Sequence, residues 1–418
     1  RTRRPPLRRN RNVLTDSPQI SIERLVSILK KWQKSLILVL AFAVAILGSA
    51  IVTMQLTRRE QTPVEAKTAE ISAYLDRFFI DDYDEEKLAD AAASAMVEAT
   101  GDRWSYYLSA EEYADYEEMM NNAYVGIGVT ILESEDDGGL RIESVTPGGP
   151  ADEAGIQVGD ILISVEGQSA LELGTSGTRD VVRGEEGTDV HLTIRRDGKD
   201  MELRVTRRSI ETEVASCEML DGKIGYIKIA NFDNRCANET IDCIEQLLAQ
   251  GAKALLFDVR FNGGGYKDEM VKVLDRLLPE GELFRSVDYT GAEEIDTSDA
   301  ECVTLPMAVL VNEDSYSAAE FFAAALQEYD AAQVVGSKTT GKGNFQTAFR
   351  LSDGSLLNIS IGKYFTPNGV SLSETGVTPD VELDLSDDDY LALYMGTLEH
   401  TDDAQLQAAV RLLREKIS

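Results

Sequence analysis

Between Ser35 and Thr57 the chain carries no charged side chain, and Leu36–Val52 is almost wholly apolar. A run of that length just spans a bilayer as one helix. It divides the chain into two unlike parts. Residues 1–59 hold 12 basic and two acidic side chains, a net of +10, whereas the remainder holds 29 and 71, a net of −42. The basic flank, residues 1–34, contains Arg1, Arg3, Arg4, Arg8, Arg9 and Arg11, then Lys30, Lys31 and Lys34. It is expected to stay cytoplasmic, which puts everything after Arg58 outside. A cleaved signal peptide is the competing reading, and the small residues Gly48–Ala50 allow it. The long flank favours an uncleaved signal anchor over residues 35–57. Residues 1–20, with Pro5, Pro6 and Pro18, are expected to be disordered.

The acidic body argues against a nucleic-acid partner, because phosphate binding needs a basic face. No long basic run occurs after Arg59. The cysteines Cys217, Cys236, Cys243 and Cys302 form no Cys-x-x-Cys pair, and only His191 and His400 could assist them. No metal site and no cofactor is expected from this set. Four scattered cysteines could form two disulfides; buried thiols are the plainer reading.

Residues 60–122 alternate acidic and apolar residues at helical spacing. Ile71, Leu75, Phe78 and Phe79 form one stripe; Leu88, Ala92, Ala95, Met96 and Ala99 form a second. Gly101 is placed to end a helix, and Ser109-Ala-Glu-Glu112 to open another. This helical arm is expected to be either a spacer or dimerisation region, or a lid on the next domain.

The pattern changes at residues 123–208. Strand-like runs over Val125–Leu132, Leu140–Val145, Ile161–Val165, Val190–Arg195 and Met201–Thr206 alternate with turns such as Asp137-Gly-Gly139 and Asp197-Gly198. Pro150-Ala-Asp-Glu-Ala-Gly155 and Val158-Gly-Asp-Ile-Leu-Ile-Ser-Val-Glu-Gly167 resemble a PDZ domain. Gly126-Ile127-Gly128 resembles its carboxylate-binding loop, where glycines free backbone N–H groups for a terminal carboxylate and a strand edge accepts the peptide. Arg183 comes after a short apolar stretch; it reads as a solvated helix end or as a link to the next domain.

Residues 209–386 alternate strands (Lys223–Asn231, Ala254–Val259, Met307–Val311, Gln333–Gly336) with helices (Glu239–Gln250, Asp268–Leu278, Ser317–Tyr329), which implies an α/β layer. A β-rich stretch, Gln346–Phe365, turns at Ser352-Asp-Gly354. Residues 387–418 close the chain with helix-like Leu391–Met395 and Ala404–Ile417.

The chemistry is reached by elimination. A Ser-His-Asp triad needs histidine beside the serine, and neither His191 nor His400 has such a neighbour in sequence. Lysine replaces histidine as base when burial depresses its pKa by roughly three units from ~10.4. Ser317 stands at a helix mouth after a buried strand, and Lys342 lies between Gly341 and Gly343. Gln346 is placed to hold the lysine amine. Ser317-Ala-Ala-Glu320 also reads as a capping box, and Ser315 competes as cap or nucleophile. The N–H of Ala318 and an N–H exposed in Asn262-Gly263-Gly264-Gly265 are candidate oxyanion donors.

Asn312…Ser317-Ala-Ala-Glu320, Gly341-Lys342-Gly343…Gln346, Asp353-Gly-Ser355, Tyr364-Phe-Thr-Pro-Asn-Gly369 and Gly376-Val-Thr-Pro-Asp380 together resemble the C-terminal processing peptidases, family S41. Gly101-Asp102…Ser105-x-Tyr107 and Gly126-Ile-Gly128 fit the same order. The resemblance implies an α/β, crotonase-like (ClpP/crotonase) serine protease core with an inserted β-rich PDZ domain, a helical arm and a single transmembrane helix. It implies Ser317 as nucleophile, Lys342 as general base and Gln346 as its positioning partner, with Ala318 and Gly264 as oxyanion donors. It further implies a homodimer in a bacterial cell membrane that cleaves extracytoplasmic proteins, with the PDZ domain reading substrate C-termini and gating activity. A catalytically silent PDZ scaffold is the alternative. Two departures stand out. The family usually has Asn-Pro-Gly-Gly where this chain has Asn262-Gly-Gly-Gly265, and a small residue where this chain has Tyr316. The loop is therefore expected to be loosely held until peptide binds.

Overall fold

The computed structural model describes residues 22–56, 61–134 and 138–418. The tail expected to be disordered, and the last anchor residue Thr57, lie outside the described residues. The chain forms two units, residues 1–84 and 85–418. In the first, one helix runs over Ile22–Leu56. Its segment Lys30–Ser49 is long and apolar enough to cross a membrane, the one such helix among the described residues. A second helix, Pro63–Phe78, starts with a closed capping box between Thr62 and Glu65. Ile71, Phe78 and Phe79 of its expected apolar stripe are exposed.

The second unit is built around a six-stranded sheet. Ala215–Leu220 is its antiparallel edge. Ile224–Ile229, Ala254–Asp258, Met307–Val311, Ala332–Gly336 and Val381–Glu382 lie beyond it in parallel. Strands covered on both faces read as continuous apolar runs, as Ala254–Asp258 and Met307–Val311 do; both are buried throughout. Side-chain alternation splits each strand between two cores. Ile227, Phe257, Val309 and Val311 face the helices Cys236–Ala249, Lys267–Leu277 and Ala318–Glu328. Tyr226, Leu256, Ala308 and Leu310 face the helix Ala404–Ile417.

A second, five-stranded antiparallel sheet joins Tyr106–Leu108, Leu356–Phe365, Gly281–Asp288 and Glu293–Ser298, with Asn344–Arg350 also on Leu356–Phe365. The stretch read as wholly helical therefore holds a strand, paired residue for residue with Leu356–Asn358. Gly101 does end a helix, at φ 77° with its N–H on the Glu98 carbonyl, and the Ser109–Glu112 capping box is closed.

The insertion has its own core of Ile127, Leu140, Ile142, Leu162, Val190 and Ile194. Its sheet runs Val129–Ser134, Gly139–Val145, Ile161–Val165, Asp189–Arg196, Lys199–Thr206. A two-stranded ribbon, Ala123–Gly126 against Arg208–Glu211, closes it at the neck. The single strand expected over Val125–Leu132 is thus two, separated where Gly128 turns to φ 77°. The Ile127 carbonyl between them accepts from Ala151 N–H.

Candidate active site

The buried strand Met307–Val311 ends in a turn that is stitched before it reaches Ser317. Ser315 Oγ donates to the Val259 carbonyl at 2.8 Å and accepts from Asn312 N–H at 3.1 Å. Ser315 is fully buried and committed there, which leaves Ser317 facing the cleft. Ser317 sits at φ 59°, ψ −124°, a backbone that a non-glycine residue adopts only under constraint. The helix starts at Ala318, yet the Ser317 hydroxyl caps nothing. Half of the expected capping box forms, because Glu320 is held by the Ser317 N–H. The same buried carboxylate accepts from Gly341 N–H at 2.7 Å, from Lys342 N–H at 2.9 Å and from the Thr339 hydroxyl. Glu320 therefore fixes the lysine segment to the first turn of the serine helix. Burial lifts its carboxyl above the usual range, against the pull of these donors.

Lys342 projects into the same cleft as Ser317. Its ammonium lies 4.9 Å from the Trp104 ring centre, and that ring lies 5.7 Å from Tyr316. Among the described residues no carboxylate reaches Lys342 at ion-pair distance. Burial pushes its pKa down to about 8, although Asp102 and Glu320 pull the other way. The Tyr364 hydroxyl donates to the Lys342 carbonyl, and its ring is wedged beside Phe284 and Phe321. Gln346 also lines the cleft, but its Nε2 donates to the Asn344 carbonyl at 3.1 Å and to Ser360 Oγ at 3.0 Å.

Across from them runs Asn262–Gly265. Gly264 abuts Ser317: a side chain at Gly264 would meet Ser317 Cβ at 2.6 Å and the Ala318 nitrogen at 2.9 Å. The Gly264 N–H donates to Asn262 Oδ1 at 2.8 Å in an Asx-type turn, and Asn262 Nδ2 holds the Ile229 carbonyl at 2.9 Å. Tyr316 covers Gly263 so closely that a Cβ there would come within 2.7 Å of its hydroxyl. The cleft holds about 1040 Å³ and brings together Ser317, Ala318, Gly264, Lys342 and Gln346. Neither histidine lines it. His191, on the strand Asp189–Arg196 of the insertion, pairs with Glu166, and His400 packs on Tyr226 at 5.2 Å.

Trp104 and Asp102 belong to this site, and sequence reading gave them no role in it. Burial pushes the Asp102 carboxyl up, but hydrogen bonds from Ser105, Ser360 and the Trp104 N–H outweigh it and hold the group below its ordinary value. The available signal was the scarcity of tryptophan: the chain has two.

A second groove of about 290 Å³ is lined by Gly126, Ile127, Gly128, Ile131, Val182 and Arg183, among others. Arg183 lies 5.3 Å from the Tyr124 ring and 3.4 Å from Glu118, which sits on the helix Ala110–Met120. Tyr113, Tyr116 and Met120 of that helix line the larger cleft. All four cysteines are free thiols; Cys236 and Cys243 are buried.

Residues 223–383 match the family model for peptidase family S41, and residues 141–196 match a PDZ domain model. The chain is 34% identical over 307 residues to the "Carboxy-terminal processing protease CtpA" of Bacillus subtilis (strain 168), covering 73% of this chain and 66% of that protein. It is 33% identical over 305 residues to a "Probable CtpA-like serine protease" of Staphylococcus aureus (strain N315), covering 72% of this chain and 61% of that one. The chain thus spans slightly less than two thirds of the length of these curated relatives. A crystal structure bearing the S41 protease name, from Bacteroides fragilis NCTC 9343, shares the fold. Its TM-score is 0.51 and its identity 19%, over 78% of this chain and 90% of that chain.

Proposed function

The chain belongs to the S41 peptidases, and from that premise we propose that it is a membrane-anchored serine endopeptidase working through a Ser317–Lys342 dyad on a crotonase-like core. The observation that carries this reading is the buried ammonium of Lys342, which meets no carboxylate at ion-pair distance among the described residues, held in one cleft with a constrained serine hydroxyl that caps no helix. Neutral Lys342 takes the Ser317 proton as Oγ attacks a substrate carbonyl, then returns it to the leaving amine. The N–H of Ala318 is one donor to the developing oxyanion, and Gly264 supplies the second. Gly264 N–H now faces Asn262 Oδ1, so the loop must turn that N–H toward Ser317 when substrate enters. Gln346 steadies the strand beside Lys342 and, on release from Ser360, reaches its amine.

The groove at Gly126–Gly128 takes the C-terminal carboxylate of a protein substrate. Arg183 passes that event to the helix Ala110–Met120 and so to the catalytic cleft. The helix Lys30–Ser49 anchors the chain, with the acidic body outside the cytoplasm.

The test uses the full chain in detergent with a protein substrate ending in apolar residues. Ser317→Ala and Lys342→Ala should each lower cleavage by at least about 10⁴-fold. Lys342→Arg should be equally inactive, since arginine stays protonated. All three should still bind the C-terminal peptide. Unchanged cleavage in either alanine variant would sink the dyad, and peptide binding without hydrolysis in the wild type would leave a scaffold.

A further inference from the structure

Asp233 is an ionisable group in the cleft that the proposed chemistry does not use. It comes directly after the buried Phe232, at the point where the Asn262–Gly265 loop crosses the end of strand Ile224–Ile229. It is 5% exposed, yet it lines the cleft. Its N–H is taken by Asn231 and its carbonyl by Cys236 N–H, but its Oδ1 has no hydrogen-bond partner. That oxygen lies against Gly265, where a Cβ would meet it at 2.6 Å. Gly264, one residue earlier, touches Ser317. A carboxylate oxygen stripped of water and left without a donor is costly unless something arrives to pair with its group.

The surroundings name the chemistry of that arrival. Tyr116 and Glu117 come from the helix Ala110–Met120, and Tyr266 and Lys267 come just after the loop. Glu269 and Arg235 flank the start of the helix Cys236–Ala249. Lys267 is neutralised by Asp268, Glu294 and Asp296, and Arg235 by Glu211 and Glu239. This end of the cleft is thus acidic and tyrosine-lined, a setting that favours an ammonium or guanidinium. Burial raises the Asp233 carboxyl to about 7, so it ionises across the neutral range.

We propose that Asp233 is the specificity-determining residue of one substrate subsite on the Gly265 side of the cleft, and that this subsite takes a lysine or arginine side chain. The proposal rests on reading the cleft as that of a peptidase.

Fluorogenic peptides carrying lysine, glutamine, norleucine or glutamate at each position in turn provide the test. At one position and pH 8, kcat/KM for lysine should exceed that for norleucine by roughly 30-fold. The ratio, in which any shared catalytic titration cancels, should fall as pH drops through 7 and Asp233 gains its proton. In Asp233→Asn it should sit near one at every pH, with the thermal midpoint retained; Asp233→Glu should restore part of the preference. A flat ratio in the wild type, a preference for glutamine over lysine, or a lysine preference that survives Asp233→Asn would each overturn the subsite. Should no peptide be cleaved, the peptidase reading fails separately. The subsite is then judged by binding to Ser317→Ala protein, where equal affinity for lysine and norleucine peptides overturns it.

Discussion

At the residue scale the proposed chemistry turns on a contest around Lys342. Burial favours the neutral amine, while Asp102 and Glu320 favour the ammonium, and the balance falls at about 8. The neutral form is the base, so activity should rise with pH through about 8 and level off above it. Asp102→Asn removes the larger of the two opposing charges, so the midpoint of the kcat/KM profile should move to lower pH. An unmoved or raised midpoint would count against Lys342 as the titrating base. The Trp104 contact offers a second reading of the same equilibrium. Trp104 emission should change with a midpoint near 8 in the wild type and lose that transition in Lys342→Met. Scarcity of histidine made Ser317 and Lys342 visible in the sequence. Asp102 and Trp104 were not visible as partners, because they come from a turn far earlier in the chain. The pairing of Tyr106–Leu108 with Leu356–Asn358, and the Ser360 N–H on Ser105 Oγ, bring that turn to the site. Glu320 was seen as half of a cap, yet three of its four donors lie on the lysine segment, and spacing along one helix cannot disclose them.

Among the elements, the loop Asn262–Gly265, expected to be loosely held for want of proline at position 263, springs from a base, Arg260–Phe261, that the C-terminal segment grips. Arg260, with 2% of its side chain exposed, lies 2.6 Å from Asp258 and 2.8 Å from Asp403, and reaches Gln405 at 3.0 Å. Phe261 adopts φ 60° and is flanked by Tyr390 at 4.9 Å and Tyr394 at 5.5 Å; its N–H donates to Asn312 Oδ1. Removing one partner from a buried charge cluster strands the others, typically at about 3–5 kcal/mol. Arg260→Ala should lose that much in urea unfolding of the whole chain; a loss under about 1 kcal/mol would show that the cluster is not holding the loop. Sequence patterning captured strands buried on both faces, since Met307–Val311 is apolar without a break. It missed Ala215–Leu220, Gly281–Asp288 and Glu293–Ser298. These are edge or antiparallel strands whose wetted faces carry polar residues, as in Glu-Glu-Ile-Asp-Thr-Ser, and they show no apolar run.

For the whole molecule, the order of a PDZ stretch, matched over residues 141–196, before a peptidase stretch, matched over 223–383, was legible because the PDZ-like turns interrupt the α/β pattern. What the order could not give was the manner of attachment. The insertion leaves and returns through the ribbon Ala123–Gly126/Arg208–Glu211, with Gly126 directly opposite Arg208. That register is one a two-residue Asn-Gly turn can close. Replacing residues 127–207 by such a turn should leave a core that unfolds cooperatively and should abolish any response to C-terminal peptide. A core that fails to fold would mean that the insertion supports it structurally. The ribbon has a further consequence. In the proposed peptidase the covalent link between the PDZ module and the catalytic core is two adjacent strands, so grafting a different recognition module onto that ribbon needs no rerouting of the rest of the chain.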